Sequence, residues 1–208
     1  MTNTNDLWPN EKINETFYGL FKSRAEELTV TVLRAESSHE ALQLISKEIK
    51  NLEIQKVVAA PLSLLSLKEL ENIIHDMNPN VEFSNQLDRD RIEQAGMGIS
   101  EFQLGIAELG SIFQDASIMH ERLVSMLPTV HLALLRTSAL VETFANALEV
   151  IEKAYSGQIP PYLSFITGPS KTADIERELT IGVHGPEKLI IVCIDGAAPH
   201  PSLIKPCP

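Results

Sequence analysis

The feature that most constrains this chain is its alternation. Short apolar runs rich in β-branched residues are interleaved with segments whose apolar residues recur at helical spacing. A strand buried on both faces reads as a continuous apolar run, and parallel neighbours need a crossover between them. Such runs are Leu28 to Leu33, Lys56 to Pro61, Thr129 to Leu135, Ser164 to Thr167 and Leu189 to Ile194, with a shorter one at Val81 to Phe83. Between them, helical spacing predicts helices over Asn14–Leu28, Leu64–His75, Ser138–Tyr155 and Thr172–Ile181, and a helical turn or two over Asp88–Ala95. Another helix follows Ser37, with Ala41, Leu42, Ile45, Ile49 and Leu52 on one stripe. There Ser37 and Glu40 have the three-residue spacing of a capping box. Gly105 to Gln114 is apolar and punctuated by glycine, which predicts a hairpin or two short strands. The pattern as a whole implies an α/β fold with a mainly parallel sheet and helices on both faces. The expected organisation is an N-terminal arm and helix over 1–28, one α/β domain over 29–196, and a Pro-rich tail over 197–208.

Charge and cysteine content narrow the function. Residues 1–104 carry 10 basic and 17 acidic side chains, and residues 105–208 carry 7 and 11. No basic stripe exists to neutralise phosphates, which argues against nucleic acid and anionic membrane surfaces. No apolar run approaches the length of a membrane span. Two cysteines, Cys193 and Cys207, build neither a disulfide framework nor a four-thiolate cluster or zinc site. With a polar, acidic N-terminus, this makes a cytoplasmic location the expectation.

Three segments carry chemistry. Thr167-Gly168-Pro169-Ser170-Lys171-Thr172 leads from a predicted strand into a predicted helix. Free amides at such a helix start attract anions, and Ser170, Lys171 and Thr172 add donors. The same letters also suit simple capping, with Asp174 and Glu176 at the positive end of the helix dipole. Gly182-Val183-His184-Gly185-Pro186 places a histidine between two glycines. His184 is either a general acid or base or a turn histidine bonded to backbone. Gly105-Ile106-Ala107-Glu108-Leu109-Gly110-Ser111 places a carboxylate between glycines. Glu108 is either a base or nucleophile with raised pKa, or a hairpin residue facing water. Gly96-Met97-Gly98 has Glu101 where a dinucleotide fingerprint needs its third glycine. His131 lies within an apolar strand, and Cys193 within another, which suits packing better than ligation.

Taken together, these segments resemble the LUD-domain family. The resemblance is carried by Phe165 through Glu176, by Gly182 through Pro186 with the strand that follows, by Gly105 through Ser111, and by Arg122 through Leu132 with its Arg, Leu-Pro and His. It covers 105–194 closely and 10–104 more loosely. The chain departs from the family at Leu109-Gly110-Ser111, where Thr-Gly-Thr is common, and at Lys171, where arginine is common. The resemblance implies a fold similar to ribose-5-phosphate isomerase, glucosamine-6-phosphate deaminase and CoA transferases. It also implies a role in oxidising L-lactate to pyruvate beside iron–sulfur partner proteins, with the clusters in those partners and no cofactor or metal in this chain. The positions it marks for a small carboxylate or phosphate ligand are Gly110, Ser111, Arg122, Gly168, Ser170, Lys171, Thr172, Asp174 and Gly185. Glu108 and His184 are the catalytic candidates. The alternatives are a self-sufficient isomerase-like or CoA-transferase-like enzyme using Glu108, and a non-catalytic regulatory module.

Overall fold

The computed structural model describes residues 12–156, 158–173, 179–181 and 185–196, with backbone alone for Lys171–Ala173 and Leu179–Ile181. Helix α1 (Glu15–Glu27) starts at Asn14, whose side chain accepts from the amides of Thr16 and Phe17. Strand β1 (Thr31–Ala35) leads to α2 (Ser38–Asn51), capped by Ser37, whose hydroxyl accepts from the Glu40 amide. The Glu40 carboxylate closes on the amide of Glu36, one residue before the position a capping box uses. Next come β2 (Lys56–Ala59), α3 (Leu67–Met77), β3 (Glu82–Ser84) and α4 (Arg89–Gln94). They are followed by β4 (Met97–Phe102), β5 (Leu104–Ile106), β6 (Ser111–Asp115), α5 (Met119–Met126) and β7 (Val130–Arg136). The chain continues through β8 (Leu140–Val141), α6 (Phe144–Ala154), β9 (Leu163–Ile166), β10 (Lys171–Ala173), β11 (Leu179–Ile181) and β12 (Lys188–Ile194).

The predicted parallel sheet is present. Six strands run in the order β1-β12-β7-β4-β2-β3, and every neighbouring pair is parallel. Its strands alternate their side chains between two cores. Val130, Leu132 and Leu134 of β7, with Ile190 and Val192 of β12, meet Ala41, Ile45 and Ile49 of α2 and Leu70 and Ile74 of α3. Each fully buried aliphatic side chain there contributes about 2 kcal/mol. Ala133 and Leu135 point the other way, into a core with Phe21 and Ala25 of α1 and Ile112 of β6. On that second face α4 and α5 bury Ile92 and Val124 against Val58. A smaller sheet of order β8-β5-β6-β9 also lies there, and α6 covers its far side through Ala147, Ile151 and Ala154.

Two expectations are corrected. The segment read as a helix over Thr172–Ile181 contains instead the antiparallel pair β10 and β11, with Lys171 opposite Ile181 and Ala173 opposite Leu179. β-Branched Thr172, Thr180 and Ile181 favour pairing at both ends of the segment. The helix read from Ser138 begins only after Thr143. Before it, Thr137–Ala139 form a 3-10 turn, and Leu140 and Val141 pair with Gly105 and Ile106. Thr143 is the better cap because Asn146 completes a capping box with it.

Candidate functional site

The marked segments are partly brought together. Ser111, buried at the start of β6, has its hydroxyl 2.7 Å from the hydroxyl of Thr167 at the end of β9, beside Gly168. The Ser170 amide donates to the Pro186 carbonyl at 2.8 Å, which sets Gly185 against Ser170. The glycines here have a packing reason. Gly110 has φ of +63°, and a Cβ on it would stand 2.4 Å from the Ala25 amide nitrogen. Gly168, at φ +114°, faces the Leu28 carbonyl at 3.4 Å. Both therefore clasp the last turn of α1.

Arg122 is elsewhere. Its guanidinium donates to the Ala116 carbonyl and lies 4.1 Å from the ring centroid of Tyr162. Ala116 follows the end of β6 opposite to Ser111, about 17 Å along the strand direction at ~3.4 Å per residue. Glu108 is exposed and accepts from the Phe144 amide at 2.6 Å, so its carboxylate caps α6. Lys171 and Thr172 are placed as backbone of β10, with no helix start there to supply free amides. Asp174, His184, the arm 1–10 and the tail 197–208 lie outside the described residues.

A second polar group, unmarked by sequence reasoning, sits where an open parallel sheet ordinarily binds ligands. The connection leaving β2 runs outward to β3, while that leaving β4 runs the other way to β7, so the sheet reverses between β2 and β4. Ligands favour the carboxyl ends of strands at such a reversal. There the Glu101 carboxylate accepts from the Ser63 amide at 2.7 Å, the Leu64 amide at 2.9 Å and the Ser63 hydroxyl. Arg136 ends the neighbouring strand β7 and is buried. Burial pulls its guanidinium pKa below the usual value, and the charge of Glu101 acts in the opposite sense. Among the described residues, two buried side-chain atoms near the main chain of this pair lack a hydrogen-bond partner. One is the hydroxyl of Thr137, next in the chain. The other is the Gln114 carbonyl oxygen, whose amide donates to the Glu101 main chain at 3.3 Å. A charged residue closing an apolar strand is the signal that finds Arg136, whereas Glu101 lies in a broken run that carries no such signal.

At the sheet edge, Arg34 binds Glu15 through two contacts of 2.7 Å and Asp195 through contacts of 3.0 and 2.9 Å, with its guanidinium 4.6 Å from the Tyr18 ring centroid. This ties the start of α1 to β1 and β12. Burial pushes the Tyr18 hydroxyl up to about 12. Under α5, His131 and Ser100 share a hydrogen bond at 2.8 Å and Phe102 packs on the imidazole. Among the described residues, no three His, Cys, Asp or Glu side chains are grouped to hold a metal, and no helix is long and apolar enough to cross a membrane.

The LUD domain family model matches residues 18–194. The lactate utilization protein C of Bacillus licheniformis is 36% identical over 107 residues, covering 50% of this chain and 45% of that protein. The lactate utilization protein C of Bacillus subtilis is 36% identical over 106 residues, covering 50% and 44%. The protein of the same name from Shouchella clausii is 29% identical over 205 residues, covering 91% and 88%. The chain thus spans less than half the length of the two Bacillus relatives it matches. A crystal structure of a DUF162 family protein from Deinococcus radiodurans matches with a TM-score of 0.60 at 18% identity, over 86% of this chain and 97% of that one. That likeness establishes the fold.

Proposed function

Because the chain belongs to the LUD domain family, we propose that it is a lactate-utilisation protein. It serves as the cluster-free subunit of a cytoplasmic assembly that oxidises L-lactate to pyruvate. The observation that carries this reading is the match to relatives named lactate utilization protein C, which for the Shouchella clausii protein extends over nearly the whole of both chains. The chemistry gives the division of labour. Oxidising a hydroxy acid to a keto acid releases two electrons and two protons, and iron–sulfur clusters accept electrons singly. Two cysteines cannot supply the four thiolates such a cluster usually takes. The clusters therefore belong to partner proteins, and this chain binds or organises. The reading includes a small carboxylate or phosphate ligand, for which the resemblance marks the 168–172 loop.

Affinity purification of the full-length tagged chain from native cells grown on L-lactate tests the partnership. The expected result is co-elution of iron-containing proteins with cluster absorbance. A chain that elutes alone and without iron from lactate-grown cells would overturn it.

A further inference from the structure

We infer that the loop after β2 and the end of β7 form a binding site for a small carboxylate, and that the side chain of Glu101 occupies this site in the unliganded protein. The inference rests on the proposed role in hydroxy-acid metabolism and names where the acid binds.

Three observations converge. The amides of Ser63 and Leu64 are consecutive and both point at one carboxylate, joined by the Ser63 hydroxyl. Successive main-chain amides aimed at one point form an anion-binding nest. That nest lies at the reversal of strand order between β2 and β4, where ligands of open parallel sheets bind. Arg136 is an adjacent-strand neighbour on the same face. Met97 and Ile99 of β4, like Leu132 and Leu134 of β7, face the α2 and α3 core. Period-two alternation therefore sends Glu101 and Arg136 to that side as well.

The present occupant has the chemistry of the expected ligand. Glu101 is half-buried and Ser63 is exposed, so the nest is reachable from solvent. An incoming carboxylate takes over the Ser63 and Leu64 amides and pairs with Arg136, while Glu101 turns outward. No bond is made or broken in this exchange. Glu101 thus acts as a competing internal ligand that weakens binding of free acids and excludes other anions.

The test is a ¹⁵N amide titration of the full chain with L-lactate and pyruvate, and separately with inorganic phosphate. It is run on wild type and on Glu101→Gln, which keeps the side-chain shape and an acceptor but removes the charge. L-Lactate should shift the Ser63 and Leu64 amides, and Glu101→Gln should bind it about tenfold more tightly. Adding Arg136→Lys to that variant should remove the gain, since lysine lacks the two-pronged fork. The single Glu101→Gln comparison stands even if the double variant fails to fold. Equal affinity of wild type and Glu101→Gln would overturn the inference. So would phosphate shifting the two amides as strongly as L-lactate. Shifts confined to Gly168 and Ser170 would also overturn it, while leaving the lactate role and its 168–172 loop intact. Absence of shifts in a chain that still co-purifies with iron proteins would overturn the site and not the role.

Discussion

Gly110→Ala should lower the stability of the folded protein by about 3 kcal/mol, from overpacking plus strain in a left-handed backbone. Gly110 sits at φ +63°, where an L side chain is strained, and an added Cβ would lie 2.4 Å from the Ala25 nitrogen and 2.8 Å from its Cα. Both are main-chain atoms of α1 and cannot swing aside. Relief requires α1 to move off the sheet, which exposes Phe21 and Ala25, both fully buried. In a chain of this length that loss corresponds to roughly 10 °C in Tm. Gly19 provides the control. It lies within α1 with nothing within 4 Å of its added Cβ, so Gly19→Ala should raise stability by about 0.5–1 kcal/mol through helix propensity. Urea melts of the two variants check both signs. Equal stability of Gly110→Ala and wild type would show that Gly110 does not clasp α1.

Acid should destabilise the protein well above the range in which carboxylates titrate. His131 is fully buried, and desolvation pulls its pKa from 6.5 down to about 3. Below pH 6.5 the unfolded chain takes up a proton at this residue and the folded chain does not. Stability is therefore complete above about 6.5 and falls by about 1.4 kcal/mol per pH unit as pH drops toward 3. Between pH 6.5 and 5 the expected loss from this residue is about 2 kcal/mol. Carboxylates such as Glu15, whose pKa the Arg34 hydrogen bond holds below its usual 4.5, add their loss only at lower pH. His131→Asn keeps a polar partner for Ser100 and should flatten the slope between pH 6.5 and 5. An unchanged slope in that variant would show that another group carries it.

The parallel sheet was legible because most of its strands are buried on both faces and read as apolar runs. β4 was not. Its letters Gly98, Ser100 and Glu101 break the apolar run, and each is explained only by tertiary contact. Gly98 is small because a Cβ there would stand 2.2 Å from the Val124 carbonyl of α5. Ser100 pairs with His131, and Glu101 with the loop after β2. Helix ends were equally opaque. α1, α2 and α6 close on Thr29, Glu53 and Ser156 in the left-handed region, where glycine is the usual stop signal. The segment from Thr172 to Ile181 misled because its acids fit a helix start, while the β-branched residues at both ends pair with each other.

The candidate site divides in the same way. Glycines at 105–110 and 168 announce unusual backbone, and the structure supplies the reason, the approach of α1 and of neighbouring core side chains. Ser111, Thr167 and Gly168 do meet, whereas Arg122 lies at the other end of β6. Glu101 and Arg136 are single charged letters far apart in sequence. Strand register alone makes them neighbours, with Glu101 opposite Leu134, two residues before Arg136.

The most direct test of the central claim is growth on L-lactate as sole carbon source in the native host after deletion of this gene. Growth on L-lactate should be lost while growth on pyruvate is kept, and the wild-type chain should restore it. A deletion strain that grows on L-lactate at the parental rate would contradict the claim.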